Sequence, residues 1–450
     1  MIDAPPPVEH PDPLASPRLL RRFPNLREAM DPGIMRERLQ AGLFDSGGAV
    51  VESCERPRAE LSGPSCALQY PLHLGAPGGT PRTPLALATM FTSRAAAAEW
   101  ESAVLCPLAE RMRGPAPSGR LTGVIDDLCL AVSVFPVSGA LPSLVRAFDA
   151  AHMGAVLRAV VPDATILGIE LVVFRRTRGC VLRYRLRSES HAVVYGKVGY
   201  SATAAVAVSA ALKELAARKP ADAHDPIRFP RVIGHVPELV LTLVDEMPGT
   251  RAALDDEAQV TMLVDAAARV AARVHASRVA AGDQRTAADE IQRACASVEL
   301  VRPYAPKLAE WLTHWTDSLR AAAASTRPES VVLSHGDLTP SQLLFDGDGV
   351  TVLDFDKMCR AEPALDLGRF VAYLGFHLAK RSHGGADVFA ERFVERYRAA
   401  GGPAVHAQRV ALYEVATLVR MAARSWLQLK PERLRFVSEV LAARNGASHP

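Results

Sequence analysis

Lysine is scarce in this chain. None occurs among the first 196 residues, and the whole sequence holds seven against 45 arginines. Other absences are as informative. The seven cysteines are scattered, odd in number and without a Cys-x-x-Cys pair, so neither a disulfide framework nor a zinc site is indicated. Reduced thiols and a cytoplasmic location are the expectation. No run of eighteen apolar residues occurs, so no membrane span is expected. The net charge is only +3, too small for a global field directed at nucleic acid. Met1 to Ser16 is rich in proline and acidic residues. It lacks the basic head and apolar core of a signal peptide, and reads as part of a disordered leader. What remains is a chain of 450 residues, 49% hydrophobic, with core enough for two or three domains.

Against that background one stretch stands out: Ser334-His335-Gly336-Asp337-Leu338-Thr339-Pro340-Ser341-Gln342, followed by Leu353-Asp354-Phe355-Asp356. Val331 to Leu333 read as a short strand leading into a polar loop. Leu343 to Phe345 and Val350 to Leu353 read as the arms of a hairpin turning at Gly347 and Asp348, where glycine supplies the required positive φ. That turn sets Gln342 opposite Leu353 and Asp354, and opposed residues lie about 5 Å apart. Asp337, Gln342 and Asp354 are therefore expected to share one small space. A carboxylate, an amide and a second carboxylate suit phosphoryl transfer. Asp337 would orient and deprotonate the attacking hydroxyl, and Asp354 and Gln342 would hold Mg²⁺ with hard oxygen ligands.

These residues resemble the catalytic core of the aminoglycoside phosphotransferase and choline kinase families, small-molecule relatives of protein kinases. Gly336 stands where protein kinases carry arginine, and no Ala-Pro-Glu segment follows Asp354, which points away from protein kinases proper. Gln342 departs from the asparagine usual at the metal position. Glu362 to Phe370 resembles the family's next helix, and the resemblance implies that Asp366 braces the catalytic loop by accepting backbone N–H groups.

The first half of the chain carries a weak internal duplication. Pro24 to Asp31, with Met35 and Leu39, matches Pro142 to Asp149, with Met153 and Leu157, at a constant offset of 118. Cys66 to Leu72 matches Cys180 to Leu186, and Leu128 to Pro136 resembles Leu239 to Pro248. Each copy reads as a helix, a small antiparallel sheet, a helix and a final strand: a kinase-type N-lobe present twice. In the second copy Val193 to Val198 is a strand by composition, and it carries Lys197, the first lysine of the chain. A compact ammonium there would clamp the ATP phosphates. The matching first-copy strand, Leu87 to Phe91, has Met90 in that place, so the first copy is expected not to bind nucleotide productively.

A Gly-rich loop is missing. Arg175 to Cys180 replaces it, and its arginines could meet phosphate or form a solvated turn. The helix from Ala202 to Arg218 has only Glu214, placed late for pairing with Lys197. Leu239 to Gly249 resembles the interlobe hinge, where the backbone of Glu246 and Met247 would bond the adenine edge. Beyond Asp255 the chain turns helical, beginning with an apolar stripe from Val260 to Val274 and a structural histidine, His275. Trp311 and Trp315 fall on a later helix and read as core rather than substrate wall.

The expected fold is α+β: a protein-kinase-like bilobal fold with a small β-rich N-lobe, a helical C-lobe and an additional degenerate N-lobe-like domain at the N-terminus. The expected divisions are a leader at 1–20, the degenerate repeat at 21–140, the N-lobe at 141–250 and the C-lobe at 251–450. The expected activity is ATP- and Mg²⁺-dependent phosphorylation of a small-molecule hydroxyl, with no nucleic-acid or membrane partner. A non-catalytic nucleotide-binding scaffold is the rival. Sequence leaves oligomeric state and acceptor open among aminoglycosides, sugars, choline, amino alcohols and homoserine. An aminoglycoside would want acidic residues such as Asp387, Glu391, Glu395 and Glu414 at the pocket.

Overall fold

Alternating β-branched and small residues in two separate stretches form two antiparallel sheets, seen in a computed structural model that describes residues 12–45, 49–75, 83–112, 119–176, 179–199, 202–218, 227–380 and 385–446. The first unit begins with α1 (Pro17–Arg22), α2 (Leu26–Ala29) and α3 (Pro32–Leu39). Side chains of Ser16 and Asp31 cap α1 and α3 by accepting from Leu19 N and from Gly33 and Ile34 N. The last residues of the expected leader are therefore helical, and Leu19 is fully buried. Residues 1–11 lie outside the described residues. Then follow β1 (Val50–Cys54), β2 (Arg58–Ser62), β3 (Ser65–Gly75), β4 (Leu85–Met90), α4 (Arg94–Trp100), α5 (Cys106–Ala109), β5 (Thr122–Ile125) and β6 (Leu130–Val134).

The second unit repeats the plan: α6 (Leu144–Ala147), α7 (Ala150–Arg158), β7 (Thr165–Arg175), β8 (Gly179–Arg187), β9 (Val193–Val198), α8 (Ala202–Ala217), β10 (Ile227–Arg228), β11 (Val232–Val236) and β12 (Leu241–Asp245). Spatial order is β5-β6-β4-β3, with β1 and β2 both on β3, in the first sheet and β11-β12-β9-β8-β7 in the second; β10 pairs elsewhere. The duplication extends to single bonds. The Tyr70 hydroxyl donates to Ala29 O at 2.8 Å, and the Tyr184 hydroxyl donates to Ala147 O at 2.8 Å. Before β6 and β12 the chain passes through the left-handed region at Cys129 (φ 50°) and Val240 (φ 48°). Register corrects one expectation. Val181 pairs Lys197 as Ala67 pairs Thr89, so Thr89, not Met90, stands in the place of the lysine.

The remaining chain is helical around a small β insert. α9 (Glu257–Ala276), α10 (Ala287–Val301) and α11 (Pro306–Ser325) precede β13 (Val332–Ser334), β14 (Leu343–Asp346), β15 (Gly349–Val352) and β16 (Cys359–Ala361). α12 (Ala364–Ala379), α13 (Ala386–Ala399), α14 (Ala407–Leu427) and α15 (Pro431–Gly446) follow. The expected stripe of α9 is buried, and Trp311 and Trp315 are core, meeting edge to face at 6.2 Å. One continuous hydrophobic core joins the first unit, through Leu19, Phe23 and Tyr70, to Tyr304, Trp315 and Trp426 of the helical part, while the second sheet has a core of its own. The first unit thus packs as a wall of the helical lobe. Among the described residues no helix is long and apolar enough to cross a membrane, and all seven cysteines are free.

Candidate active site

β13 and β16 pair antiparallel, Ser334 opposite Cys359, and the loop leaving β13 carries His335, Gly336 and Asp337. Asp366, fully buried at the start of α12, accepts from His335 N at 2.6 Å and from Gly336 N at 2.8 Å. The Asp366 carboxylate also meets His275 Nε2 at 3.1 Å, and the other ring nitrogen of His275 meets the Tyr397 hydroxyl at 2.9 Å. Burial alone would raise the Asp366 carboxyl. The His275 bond and charge and the His335 N–H outweigh it and hold the carboxyl below the usual range. The bracing role expected of Asp366, and the structural role of His275, are realised in these bonds. Gly336 has φ +75°, and a Cβ there would lie 2.0 Å from Lys357 O, which explains why no larger residue stands at this position. His335 Nδ1 accepts from Asp337 N at 3.3 Å, which makes Nε2 the protonated nitrogen that donates to Leu353 O at 2.8 Å.

The hairpin turns at Gly347 and Asp348, with Asp346 opposite Gly349 and Leu343 opposite Val352. Leu353 N donates to Gln342 O at 2.8 Å, which brings the side chains at the open end together. Gln342 Nε2 lies 3.2 Å from Asp354 Oδ2. Asp354 is itself in the left-handed region (φ 66°), a conformation an L-residue keeps only where its surroundings hold it. From β9, Lys197 reaches Asp354 Oδ1 at 2.9 Å and Asp356 Oδ2 at 2.5 Å. Two carboxylates thus share one ammonium. Burial would lower the lysine and raise both acids. The attraction of Asp356 and Asp354 instead raises Lys197, and Lys197 holds Asp354 well below the usual range. Asp356 is pushed up to about 7 by burial and by the adjacent Asp354, against the pull of Lys197. Two carboxylates sharing one ammonium, with the Gln342 amide beside them, suit a hard cation. Among the described residues no three His, Cys, Asp or Glu cluster as a metal cage. Mg²⁺ does not need one, since one or two carboxylates plus substrate phosphates and water suffice.

Asp337 does not bond Gln342 or Asp354. Its Oδ2 is 2.7 Å from Lys357 Nζ and its Oδ1 is 2.5 Å from Arg369 Nη1, which also donates to Gly336 O at 2.9 Å. Burial would raise this carboxyl; Arg369 and Lys357 outweigh it and keep it below the usual range. Asp337 opens onto a cavity of about 610 Å³ between α10, α12, α14 and the turn joining β2 to β3. That volume lies within the range of small-molecule sites.

The segment that resembles a hinge, Glu246 to Gly249, leaves β12. Thr250 and Phe345 exchange backbone bonds at 2.9 and 2.8 Å, tying the segment after Glu246 and Met247 to β14. The Glu246 side chain is half-exposed and 3.9 Å from Arg183. Glu214 pairs Arg218 at 2.5 Å, and Lys197 takes its partners from the hairpin end instead. Of the arginine run, Thr177 and Arg178 lie outside the described residues, and Arg176 lies against the first sheet. None of Asp387, Glu391, Glu395 and Glu414 lines the cavity; Asp387 and Glu414 pair Arg444. Sequence reasoning misses Lys357, Asp356 and Arg369. The scarcity of lysine that singles out Lys197 applies equally to Lys357, and Arg369 stands three residues after Asp366, on the same helix face.

Comparison with known proteins gives the family. The chain resembles the solved choline kinase of Cryptosporidium parvum at 10% identity and TM-score 0.50, covering 66% of this chain and 96% of that one. For choline kinase LicA of Streptococcus pneumoniae the values are 14%, 0.48, 65% and 99%. For an aminoglycoside phosphotransferase of Streptomyces rimosus they are 20%, 0.39, 60% and 97%. At these identities the likeness is one of fold. A search of curated protein sequences gave no match. The profile of the phosphotransferase enzyme family, however, matches residues 171–413, more than half the chain and the whole of the loop, hairpin and α12 just described. This chain belongs to the phosphotransferase enzyme family.

Proposed function

We propose that the protein transfers the γ-phosphoryl group of ATP to a hydroxyl of a small molecule, with a single working site. Residues 141–250 would form the N-lobe over the nucleotide, 251–450 the helical lobe, and 21–140 a degenerate N-lobe-like unit. The observation that carries this reading is the placement of Asp337: its loop is clamped by Asp366 and its carboxylate opens onto the cavity. The acceptor oxygen would bond to the γ-phosphorus as the bridging P–O bond breaks, its electron pair leaving with ADP. The acceptor proton would pass to Asp337. Lys357 and Arg369 keep that carboxylate ionised and pointed, which favours orienting the hydroxyl over strong basicity. A loose transition state asks for little more. Lys197 would meet the phosphates, and the backbone of Glu246 and Met247 the adenine edge. Mg²⁺, held by Asp354 and Gln342 with Asp356 alongside, would supply charge neutralisation at the phosphates. Seven free thiols support a reducing, cytoplasmic setting.

The rival reading, a nucleotide-binding scaffold without turnover, draws on the absence of a Lys197–Glu214 pair and on the two cations already engaged with Asp337. Purified protein given ATP, Mg²⁺ and a hydroxyl-compound panel, with ADP release as readout, separates the two. Turnover lost in Asp337→Asn and Asp354→Asn, which keep a hydrogen-bonding group beside Arg369 and Lys197, and lost equally in Asp337→Ala and Asp354→Ala while these remain folded, is expected. Wild-type ADP release by any of these variants, with a verified acceptor, sinks the assignment.

A further inference from the structure

The cavity beside Asp337 is basic. Five cations line it, Arg22 from α1, Lys357, Arg369 from α12, and Arg420 and Arg424 from α14, against three carboxylates, Glu60, Glu299 and Asp337. Two of these carboxylates are committed. Asp337 is bound on both oxygens by Lys357 and Arg369. Glu299 faces Arg302, with contacts of 3.0, 2.9 and 2.7 Å. Behind the cavity wall a single buried carboxylate, Glu290, serves Arg420 at 2.7 Å, Arg293 at 2.6 Å, Arg369 at 3.5 Å and Arg285 at 3.7 Å. One acid among four guanidinium groups leaves positive charge over. Burial and the neighbouring Arg369 accordingly depress Arg420.

Among the described residues two of the lining arginines pair with no acid. Arg424 lies one turn beyond Arg420 on the same face of α14, and its guanidinium meets only the neutral amide of Gln428, at 3.0 and 3.3 Å, which leaves its charge uncompensated. Arg22 of α1 lines the same cavity, its guanidinium 5.9 Å from the ring of Tyr304, which stacks on Trp426 of α14, and it too has no carboxylate partner among the described residues. The β2–β3 turn at Ser62 and Gly63 also lines the cavity. A guanidinium fork matches a carboxylate or phosphate in two parallel hydrogen bonds. A cavity with this surplus repels cationic ligands and attracts anions.

We infer that the acceptor is a hydroxyl compound bearing a carboxylate or phosphate group, its anionic end held between Arg22 and Arg424 and its hydroxyl at Asp337. This rests on the phosphotransfer reading above. It also gives the N-terminal unit a role, since that unit supplies one jaw of the acceptor site. A polycationic aminoglycoside or choline is the wrong charge for this cavity.

The test uses the full chain and matched probes: gluconate and glucose 6-phosphate as anions, glucose as the neutral case, glucosamine and choline as cations. Thermal shift and ADP release are read with and without ATP and Mg²⁺. Anions are expected to stabilise the protein and to accept phosphate, with an affinity that weakens as salt rises from about 50 to 500 mM. The double variant R22Q/R424Q is expected to raise the acceptor KM at least about tenfold while the ATP KM stays put. Failure of both anions to stabilise wild type, or anion binding indifferent to R22Q/R424Q, overturns the inference, whatever the other probes do. The nucleotide arm reports separately. If ATP with Mg²⁺ gives no shift, the phosphotransfer reading itself falls; if it shifts while the anion arm is silent, only the acceptor class falls.

Discussion

Lys357 holds its ammonium 2.7 Å from one oxygen of Asp337, and both residues line the cavity between α10, α12 and α14. The lysine is about a third exposed, whereas Asp337 is mostly covered. Its loss should therefore touch chemistry more than folding. Lys357→Met is expected to lower kcat about a hundredfold, the scale seen when one preorganised electrostatic group is removed. Its unfolding midpoint should stay within about 2 °C of wild type, as for a surface change. Steady-state kinetics and a melting curve on one preparation decide it; unchanged kcat removes Lys357 from the site.

Arg369 holds the other oxygen from a far more buried position, 3% exposed, between Asp337 and Glu290. Arg369→Met leaves two buried carboxylates without this partner. Breaking a buried pair in this way costs about 3–5 kcal/mol. Asp337→Asn keeps a hydrogen-bonding group in place and should cost far less stability while removing activity. Urea denaturation of the two variants should rank them in that order, and a destabilisation by Asp337→Asn as large as that by Arg369→Met would contradict the geometry.

Much of this arrangement is legible in the amino-acid order, because it is local. The hairpin needs only the alternation of its arms and Gly347, and the pairing of Gln342 with Asp354 follows from its length. The partners of Asp337 are less local: Lys357 and Arg369 stand 20 and 32 residues further on. Behind them Glu290 and Arg420 come from α10 and α14, 130 residues apart, and nothing in their sequence neighbourhood marks them off from other helix charges. The scarcity of lysine marks Lys357 as much as Lys197, but Lys197 also interrupts an apolar strand, whereas Lys357 ends a short turn beside Asp356 and gives no such second sign. Strand composition alone misplaces the counterpart of Lys197 by one residue, at Met90 rather than Thr89, because register depends on pairings that a single strand does not encode.

Gly336 offers a test of why this chain departs from protein kinases. With φ +75° and Lys357 O where a Cβ would go, any side chain must displace the backbone. Gly336→Ala is expected to destabilise by about 2–3 kcal/mol or more. Gly336→Arg, the protein-kinase residue, should do no better. A stable, active Gly336→Arg protein would mean that the loop adopts another conformation in solution.

Asp366 predicts a pH dependence. Its folded-state pKa is depressed by His275 and by the loop N–H groups, so its contribution is fully present above the unfolded carboxylate value of about 3.9 and is lost as pH falls through the lower folded value. Asp366→Asn should be strongly destabilised at pH 7, by about 3 kcal/mol, since it removes a buried charged acceptor of two backbone bonds. The gap to wild type should narrow below about pH 4. Chemical denaturation near neutral pH and again below that point measures both differences; a gap constant with pH would show that the carboxylate charge is not what matters.

The paired sheets raise the question whether the first one binds nucleotide, and the register answers it in a testable form. Thr89 has no charge to offer phosphate. The space over that strand is lined by Thr89, Leu68, Ala88, Phe174 and Arg176, with Phe174 and Arg176 coming from the second unit, and amounts to about 30 Å³. That is room for a few waters at most, not for an adenosine. Calorimetry with ATP and Mg²⁺ should therefore give one site per chain. Lys197→Met should weaken that site at least about tenfold, the order expected when a charge-assisted contact to phosphate is lost, whereas Thr89→Val should leave it unchanged. Two sites in wild type, or a residual site of native affinity in Lys197→Met, would assign nucleotide binding to the first sheet after all.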